Sequence, residues 1–280
     1  MNREQWTAAL SAALEVARNA SPLSGIFTTV KRAVRLHMGA CNPVGIGNGK
    51  TQTVSTYAPV GKTCPSSCPY MNKKGITSRG KEGKASICTA LASYHVNIQQ
   101  KRASEDPETR ARTAAVGFIC AYMTGTPARL EVSGDAGRTW EDARRYHELL
   151  KWTLEHLQAL PDCPRYLGWR YTHLPRTREG LETVATLHPL GLATRWSDYA
   201  GPGGAVVGDF KTETLQKLRA LGARPVKCIE QIDKKTSCAE CRLCWERPEL
   251  TILFKPSGGR YMDFLSEYGA SQWKTEGVTA

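Results

Sequence analysis

The chain has 280 residues, of which 41% are apolar and ten are cysteine, with 38 Lys and Arg against 26 Asp and Glu. A chain of this length can bury a large core, so it does not need ten cysteines as the disulfide framework of a small secreted domain. No stretch approaches the roughly 18 apolar residues of a membrane span, and the N-terminus lacks the apolar run of a signal peptide. We therefore expect a cytoplasmic protein without membrane contact, whose reduced cysteines bind metal or react.

The positive charge is concentrated at the N-terminal side. Residues 1–112 hold 16 Lys and Arg against six Asp and Glu, whereas residues 113–280 hold 22 against 20. A basic part of this kind favours nucleic acid, a nucleotide or another anionic ligand as partner. The alternative is an ordinary solvent-exposed surface that carries more basic than acidic residues and has no anionic partner. The sequence indicates no oligomeric state.

The first 49 residues are predicted to form an N-terminal helical extension. Apolar positions recur at helical spacing over 3–18, a second helix is expected around 24–38, and residues 39–49 form a loop rich in helix-breaking residues. We place the main domain at 50–256 and a C-terminal tail at 257–280.

Within the main domain, strand-like and helix-like segments alternate. Helices are predicted at 85–103, 107–123, 139–159, 177–187 and 211–221, with Thr139 as an N-cap. The predicted strands are Thr53–Tyr57, Arg129–Ser133, Tyr166–Thr172, Leu192–Trp196, Pro225–Glu230 and Leu250–Phe254. This alternation is typical of an α/β fold with a parallel sheet, either open and doubly wound or a partial (β/α)6 TIM-like barrel.

The strongest chemical motif is a group of four cysteines near the fifth predicted strand. Three are spaced as C-x2-C-x2-C, and a fourth lies at the strand end, so that the set is Cys228, Cys238, Cys241 and Cys244. Four thiolates suit either zinc or a four-iron cluster. The C-x2-C-x2-C run with one distant cysteine resembles ferredoxin spacing more than the paired spacing of zinc ribbons, which favours an iron–sulfur (4Fe-4S) cluster over zinc.

A second cysteine group follows the first predicted strand. Cys64 and Cys68 form a C-x3-C pair, and Cys88 lies further on, in the first turn of a predicted helix where a thiolate is favoured. Three protein ligands would leave one metal position open for chemistry. Whether Cys88 joins the other two cannot be read from sequence distance.

Polar residues also follow several of the predicted strands. Asp135, His173 and Asp198 come after the second, third and fourth strands, where an α/β fold gathers its functional groups, and they are the candidate catalytic residues. Residues 70–86 hold five Lys and Arg with three Gly and are predicted to be a basic flap, or else a solvated insertion.

The order of these motifs resembles the radical S-adenosylmethionine enzymes. The resemblance lies in the cysteine loop after the first strand, the Ser133-Gly134-Asp135 segment after the second, and six β/α units. It implies that Cys64, Cys68 and Cys88 hold a catalytic four-iron cluster, and that Ser133, Gly134 and Asp135 bind S-adenosylmethionine. It also implies an auxiliary cluster at the four later cysteines.

A second resemblance covers residues 50–256. The segments TCPSSCP, RLEVSGD, YTH and CAECRLCW together look like a family of phage- and plasmid-borne cysteine-rich proteins, which implies no particular activity. Our leading hypothesis is an iron–sulfur enzyme of radical S-adenosylmethionine-like type, acting on an unknown substrate that the charge suggests is a nucleic acid or nucleotide. The alternative is a non-enzymatic zinc protein that binds DNA or RNA through its basic N-terminal part.

Overall fold

The computed structural model describes residues 1–19, 38, 44–46, 54–59, 62–65, 74–76, 82–86, 99, 102–132, 134–233, 235–255 and 273. At 44–46, 74–76 and 82–86 it describes the backbone alone. These residues form an α/β fold, as the alternating pattern predicts.

Ten strands are described, and seven of them run parallel in one sheet. In chain order the strands are β1 (Val44–Ile46), β2 (Val54–Thr56), β3 (Lys74–Ile76), β4 (Glu82–Ser86), β5 (Ala128–Arg129), β6 (Gly168–Thr172), β7 (Leu192–Ser197), β8 (Gly204–Val207), β9 (Pro225–Lys227) and β10 (Thr251–Phe254). The large sheet has the order β1-β2-β5-β6-β7-β8-β10-β9, with β1 antiparallel to β2. Over the described residues this sheet does not close, so the partial-barrel geometry stays a prediction.

The helices connect these strands. They are α1 (Arg3–Asn19), α2 (Pro107–Thr124), α3 (Trp140–Gln158), α4 (Arg178–Leu187), α5 (Thr212–Ala220) and three four-residue helices, α6 (Ile229–Ile232), α7 (Cys238–Cys241) and α8 (Leu243–Glu246). The predicted cap is confirmed, since the Thr139 side chain accepts a hydrogen bond from the backbone N–H of Asp142 at 3.1 Å. The long helices therefore begin and end within two residues of their predicted bounds.

The prediction of six strands in the main domain missed β8. A parallel connection normally needs a crossover helix, but only residues 198–203 join β7 to β8. This is possible because the strands are staggered: Trp196 pairs with Gly204 and Ser197 with Ala205, so β8 begins beside the end of β7. Left-handed backbone at Asp198 (φ 59°) and Gly203 (φ 74°) makes the turn.

Other departures lie near the N-terminal side. Residues 44–46, predicted to be loop, form β1, and residues within the predicted basic flap form the antiparallel pair β3 and β4. The helix predicted from residue 85 does not begin there, because residues 82–86 belong to β4. Of the helix predicted at 24–38, only residue 38 lies within the described residues.

The two sides of the sheet are covered differently. On the helix side, α1, α2 and α3 bury an apolar core against sheet residues that include Ala128, Leu192 and Trp196. On the opposite, cysteine side, a small aromatic cluster joins Trp169 to Trp245, whose rings lie 4.7 Å apart, and α7 and α8 cover it. Adjacent strand residues thus point to different sides, as the period of two requires.

Helix α1 is part of the helix-side core. Its buried side chains are Trp6, Leu10, Ala13, Leu14 and Ala17. The indole N–H of Trp6 donates a 2.9 Å hydrogen bond to the Thr153 hydroxyl of α3. The domain boundary predicted at residue 49 stays a prediction, but the extension it defines contributes packing to the main core.

Candidate functional site

The loop that carries Cys64 packs against the loop that follows β5. Gly134 has a left-handed φ of 71°, and a Cβ added there would lie 2.6 Å from Thr63 Oγ1 and 2.8 Å from the Ala58 carbonyl oxygen. Only glycine allows backbones to approach this closely. The loop after β5 therefore lies directly against the Cys64 loop at Gly134.

Asp135 ties three strand ends together. Its carboxylate accepts hydrogen bonds from the Thr172 hydroxyl at 2.8 Å, the backbone N–H of His173 at 2.6 Å and the backbone N–H of Ala136 at 2.7 Å. Its own N–H donates to Thr63 Oγ1 at 3.3 Å. Because Asp135 is 1% exposed and its carboxylate is held by three protein donors, the geometry gives it a positioning role. A direct catalytic or cofactor-binding role stays a prediction.

Arg110 supports the same loop from α2. Its guanidinium donates to the carbonyl oxygens of Asp135 at 2.9 Å and Ala136 at 2.6 Å, and it stacks 4.7 Å from the centroid of the Tyr146 ring. A buried cation that binds two consecutive carbonyls fixes the path of the loop. Asp135 thus occupies a rigid position.

His173 and Asp198 form a pair at the carboxyl ends of β6 and β7. The His173 Nε2 and Asp198 Oδ2 atoms lie 3.6 Å apart, with the side chains 25% and 10% exposed. Asp198 holds a left-handed backbone that is uncommon for a residue other than glycine, and its N–H donates to the Ala205 carbonyl oxygen at 2.8 Å. A carboxylate beside an imidazole can orient the ring for proton transfer.

The first cysteine group is described only in part. Cys64 is buried beside Thr63 in the loop that contacts Gly134. Cys68, Cys88 and Ser133 lie outside the described residues. The structure therefore places one of the three predicted ligands at the carboxyl end of β2, and the three-cysteine site stays a prediction.

The second cysteine group lies on the cysteine side of the sheet. Cys228 follows β9 directly, Cys238 and Cys241 begin and end α7, and Cys244 lies in α8. All four are thiols and not members of disulfides. The cysteine spacing therefore folds as a loop with two short helices, not as one long helix that would spread the sulfurs along its axis.

The thiols of this group interact electrostatically. Burial, together with a smaller contribution from Cys244, raises the pKa of Cys228 to about 11 and that of Cys238 to about 12. Burial also raises the pKa of Cys244, while the Tyr171 hydroxyl and the Arg195 cation act against this. Among the described residues, no three His, Cys, Asp or Glu side chains are arranged as ligands of one metal ion.

Two buried side chains hold the segment around Cys244. The Tyr171 hydroxyl donates to Cys244 Sγ at 3.0 Å. Arg195, which is 1% exposed, donates to four carbonyl oxygens, those of Leu243 (2.6 Å), Cys244 (2.9 Å), Arg247 (2.7 Å) and Leu250 (2.7 Å). These bonds anchor α8 to β7, in addition to the packing of Trp245 on Trp169.

A second buried arginine, Arg170, points to the helix side. Its Nη1 lies 2.8 Å from His147 Nε2 and 3.7 Å from Glu131 Oε2, and its Nε donates to the Thr194 hydroxyl at 3.2 Å. Since Arg170 can only donate, His147 Nε2 accepts, which requires a neutral imidazole. Burial, with the Arg170 and Arg110 cations, holds the pKa of His147 well below its usual value.

Glu131 reaches this cluster through an unusual backbone. Leu130 already faces the helix-side core, so an extended strand would turn Glu131 to the cysteine side. Its left-handed φ of 53° brings the carboxylate to Arg170 instead. Burial raises the pKa of Glu131, while Arg170 opposes the increase. Sequence reasoning missed the buried arginines of β6 and β7; the signal was one arginine inside each of two strands that carry no other charged residue, GWRYT and LATRW.

Comparisons with protein-family models, curated proteins and solved structures found no match to this chain. Among the described helices, none has the length and apolar character that crossing a membrane requires. The proposals below therefore rest on the residues of the chain itself.

Proposed function

We propose that the protein is an iron–sulfur enzyme of the radical S-adenosylmethionine type, with one cluster at Cys228, Cys238, Cys241 and Cys244. The observation that carries this proposal is that Cys228 directly follows β9, while Cys238, Cys241 and Cys244 lie in α7 and α8 on the same side of the sheet, with the Tyr171 hydroxyl 3.0 Å from Cys244 Sγ. Thiols collected in one partly buried loop are the donor set that iron–sulfur clusters use.

The donor set fits a four-thiolate centre in its chemistry and its support. Arg195 fixes four carbonyls of the segment 243–250, and Tyr171 offers a hydroxyl hydrogen to one sulfur. Hydrogen-bonded groups around the ligands commonly orient a metal site. Because the described side chains do not surround a single ion, the segment is expected to close around the centre as it binds, which couples metal binding to local folding.

The reaction site is proposed at the carboxyl ends of β2, β5, β6 and β7. A four-iron cluster at Cys64, Cys68 and Cys88 would supply the electron for reductive cleavage of S-adenosylmethionine. Gly134 lets the loop after β5 lie against the Cys64 loop, and Asp135 holds it there, while Ser133 is a proposed cofactor contact. His173, whose Nε2 faces Asp198, would take or give a proton on the substrate through its other ring nitrogen, Nδ1.

The metal proposal is tested by anaerobic purification followed by iron, sulfide and zinc analysis and a visible spectrum. We expect brown protein with about four iron and four sulfide per cluster. Cys64→Ala should remove one cluster and Cys238→Ala the other. The matched control is Cys163→Ala, a partly buried loop thiol outside both groups. Colourless protein with zinc and no iron would instead support the non-enzymatic zinc protein.

The enzyme proposal needs a separate test. Anaerobic, iron-loaded protein is incubated with S-adenosylmethionine and dithionite, and 5′-deoxyadenosine and methionine are measured. We expect both products from the wild type and neither from Cys64→Ala. Iron-loaded wild type that yields no 5′-deoxyadenosine would refute the assignment to this enzyme type while leaving the metal centre in place.

The basic N-terminal part supports a nucleic acid or nucleotide as substrate. Its excess of Lys and Arg would attract phosphates, and binding would then weaken steeply as salt increases. A fluorescently labelled oligonucleotide titrated at two salt concentrations checks this. If the oligonucleotide does not bind even at low salt, a nucleic acid substrate is no longer supported.

A further inference from the structure

The sulfur of Cys244 has a hydrogen-bond donor of its own. The Tyr171 hydroxyl lies 3.0 Å from Cys244 Sγ. A metal-bound thiolate carries no proton and can only accept, so in the loaded protein this hydroxyl must donate.

A cation lies over the ring of the same tyrosine. Arg129, on the neighbouring strand β5, has its guanidinium carbon 5.6 Å from the centroid of the Tyr171 ring. Its Nε is buried and has no hydrogen-bond partner among the described residues. A buried N–H donor without an acceptor is uncommon and calls for a missing partner.

We propose that Tyr171, with the Arg129 cation over its ring, is a positioning residue that stabilises negative charge on the sulfur of Cys244 and thereby raises the reduction potential of the centre there. This inference rests on the proposed cluster at the second cysteine group. Hydrogen bonds and positive charge near the ligand sulfurs favour the reduced state, which carries one more negative charge, and so raise the potential.

The neighbouring contacts indicate that removing the hydroxyl leaves the site intact. The Tyr171 ring packs edge-on against Phe254 with centroids 5.7 Å apart, and phenylalanine keeps that contact. Arg195, not Tyr171, binds the Cys244 carbonyl and three others of the segment. Tyr171→Phe therefore removes the hydrogen bond to sulfur and little else.

The test is potentiometric titration of anaerobically purified, full-length protein, with iron content measured for each sample. We expect Tyr171→Phe and Arg129→Gln to retain iron and to have lower midpoint potentials than the wild type. Tyr166→Phe is the matched control, because Tyr166 is buried in the same aromatic cluster on the cysteine side. Its potential should equal that of the wild type.

Two results would overturn the inference, and they can be told apart. If iron-loaded Tyr171→Phe has the same potential as both wild type and Tyr166→Phe, the inference is wrong while the cluster stands. If the wild type holds no redox-active iron at the second cysteine group, the proposed function fails, and the inference fails with it.

Discussion

The two sides of the sheet are stabilised in different ways. The helix side has a continuous apolar core to which α1, α2 and α3 all contribute. Among the described residues, the aromatic cluster of the cysteine side has four buried members, Tyr166, Trp169, Ala193 and Trp245. An apolar core of the first kind supports itself, whereas a cluster as small as the second needs polar or metal contacts to hold its loops.

The buried arginines of β6 and β7, Arg170 and Arg195, show this difference. Arg170, on the helix side, contacts side chains: His147, Thr194 and Glu131. Arg195, on the cysteine side, contacts only backbone carbonyls in the hydrogen bonds described, all from the segment 243–250. Arg170 is a polar side chain that other polar side chains accommodate within an existing apolar core. Arg195 instead fixes the path of a loop that buries little apolar surface.

The largest effect is expected from Arg195→Met. Methionine fills much of the space but donates nothing, so four carbonyls lose a charged donor. We expect the free energy of unfolding to fall by about 4 kcal/mol, measured by urea denaturation. Hydrogen exchange should also speed up over residues 243–250. Arg242→Met is the control, because its side chain is 52% exposed and its ion pair with Glu246 is worth less than about 1 kcal/mol.

If Arg195→Met unfolds at the same urea concentration as the wild type, the cysteine side does not depend on this arginine. The contrast between the two sides would then be wrong. Faster exchange confined to 243–250 with a smaller global change would instead show that the segment opens independently of the helix-side core.

On the helix side, Leu10→Ala tests whether α1 belongs to the apolar core. Leu10 is fully buried, and removing its side chain should lower the free energy of unfolding by about 3 kcal/mol. Thermal and urea unfolding measure this. Glu15→Ala, at an exposed position of α1, should change stability by less than about 0.5 kcal/mol. Equal effects of the two substitutions would mean that α1 is not part of the cooperative core.

A smaller effect is expected where the loops after β2 and β5 meet. Gly134 and Gly125 share a φ of 71°, but a Cβ at Gly134 meets Thr63 and Ala58, whereas a Cβ at Gly125 meets nothing within 4 Å. Gly125→Ala should lower the free energy of unfolding by about 1 kcal/mol through backbone strain alone. Gly134→Ala should cost about 2 kcal/mol more because of the clash. If urea denaturation gives similar losses in the free energy of unfolding for Gly125→Ala and Gly134→Ala, the loops do not approach as closely as described.

The smallest effect concerns His147 and pH. Its native pKa lies well below that of an unfolded histidine, so as pH falls through about 6.5 the unfolded chain binds a proton that the native protein does not. The free energy of unfolding that neutral His147 contributes at neutral pH is therefore lost as pH falls, by about 1 kcal/mol at pH 5.5. The side-chain oxygen of glutamine can still accept a hydrogen bond from Arg170, but glutamine does not titrate. His147→Gln should therefore lose less free energy of unfolding than the wild type between pH 7.5 and 5.5. Equal losses would show that His147 is not held neutral.

The long helices were predictable because caps and periodicity agree locally. Thr139 caps α3 as predicted, and the buried positions of α3 follow its apolar spacing. The missed strand β8 is four residues long, and its pairing depends on a stagger against β7 that no local pattern records. Short strands owe their existence to neighbours distant in the chain.

The candidate site was predictable in its residue types but not in its supports. The strand-end rule placed Gly134, Asp135, His173 and Asp198 at one edge, and the structure brings them into one chain of contacts. It could not show that Asp135 is buried and held by three donors, since that depends on Thr172 and on loop geometry. Arg195 was missed because its four acceptors are backbone carbonyl oxygens. Every residue has one, so the sequence does not show which of them an arginine will bind.

The most direct test of the proposed centre is Mössbauer spectroscopy of ⁵⁷Fe-labelled Cys64→Ala protein, purified anaerobically. This variant should retain only the cluster at the second cysteine group. We predict the spectrum of one four-iron cluster, which Cys238→Ala introduced in addition should abolish. A Cys64→Ala protein without cluster iron, carrying zinc at the second cysteine group instead, would contradict the iron–sulfur account.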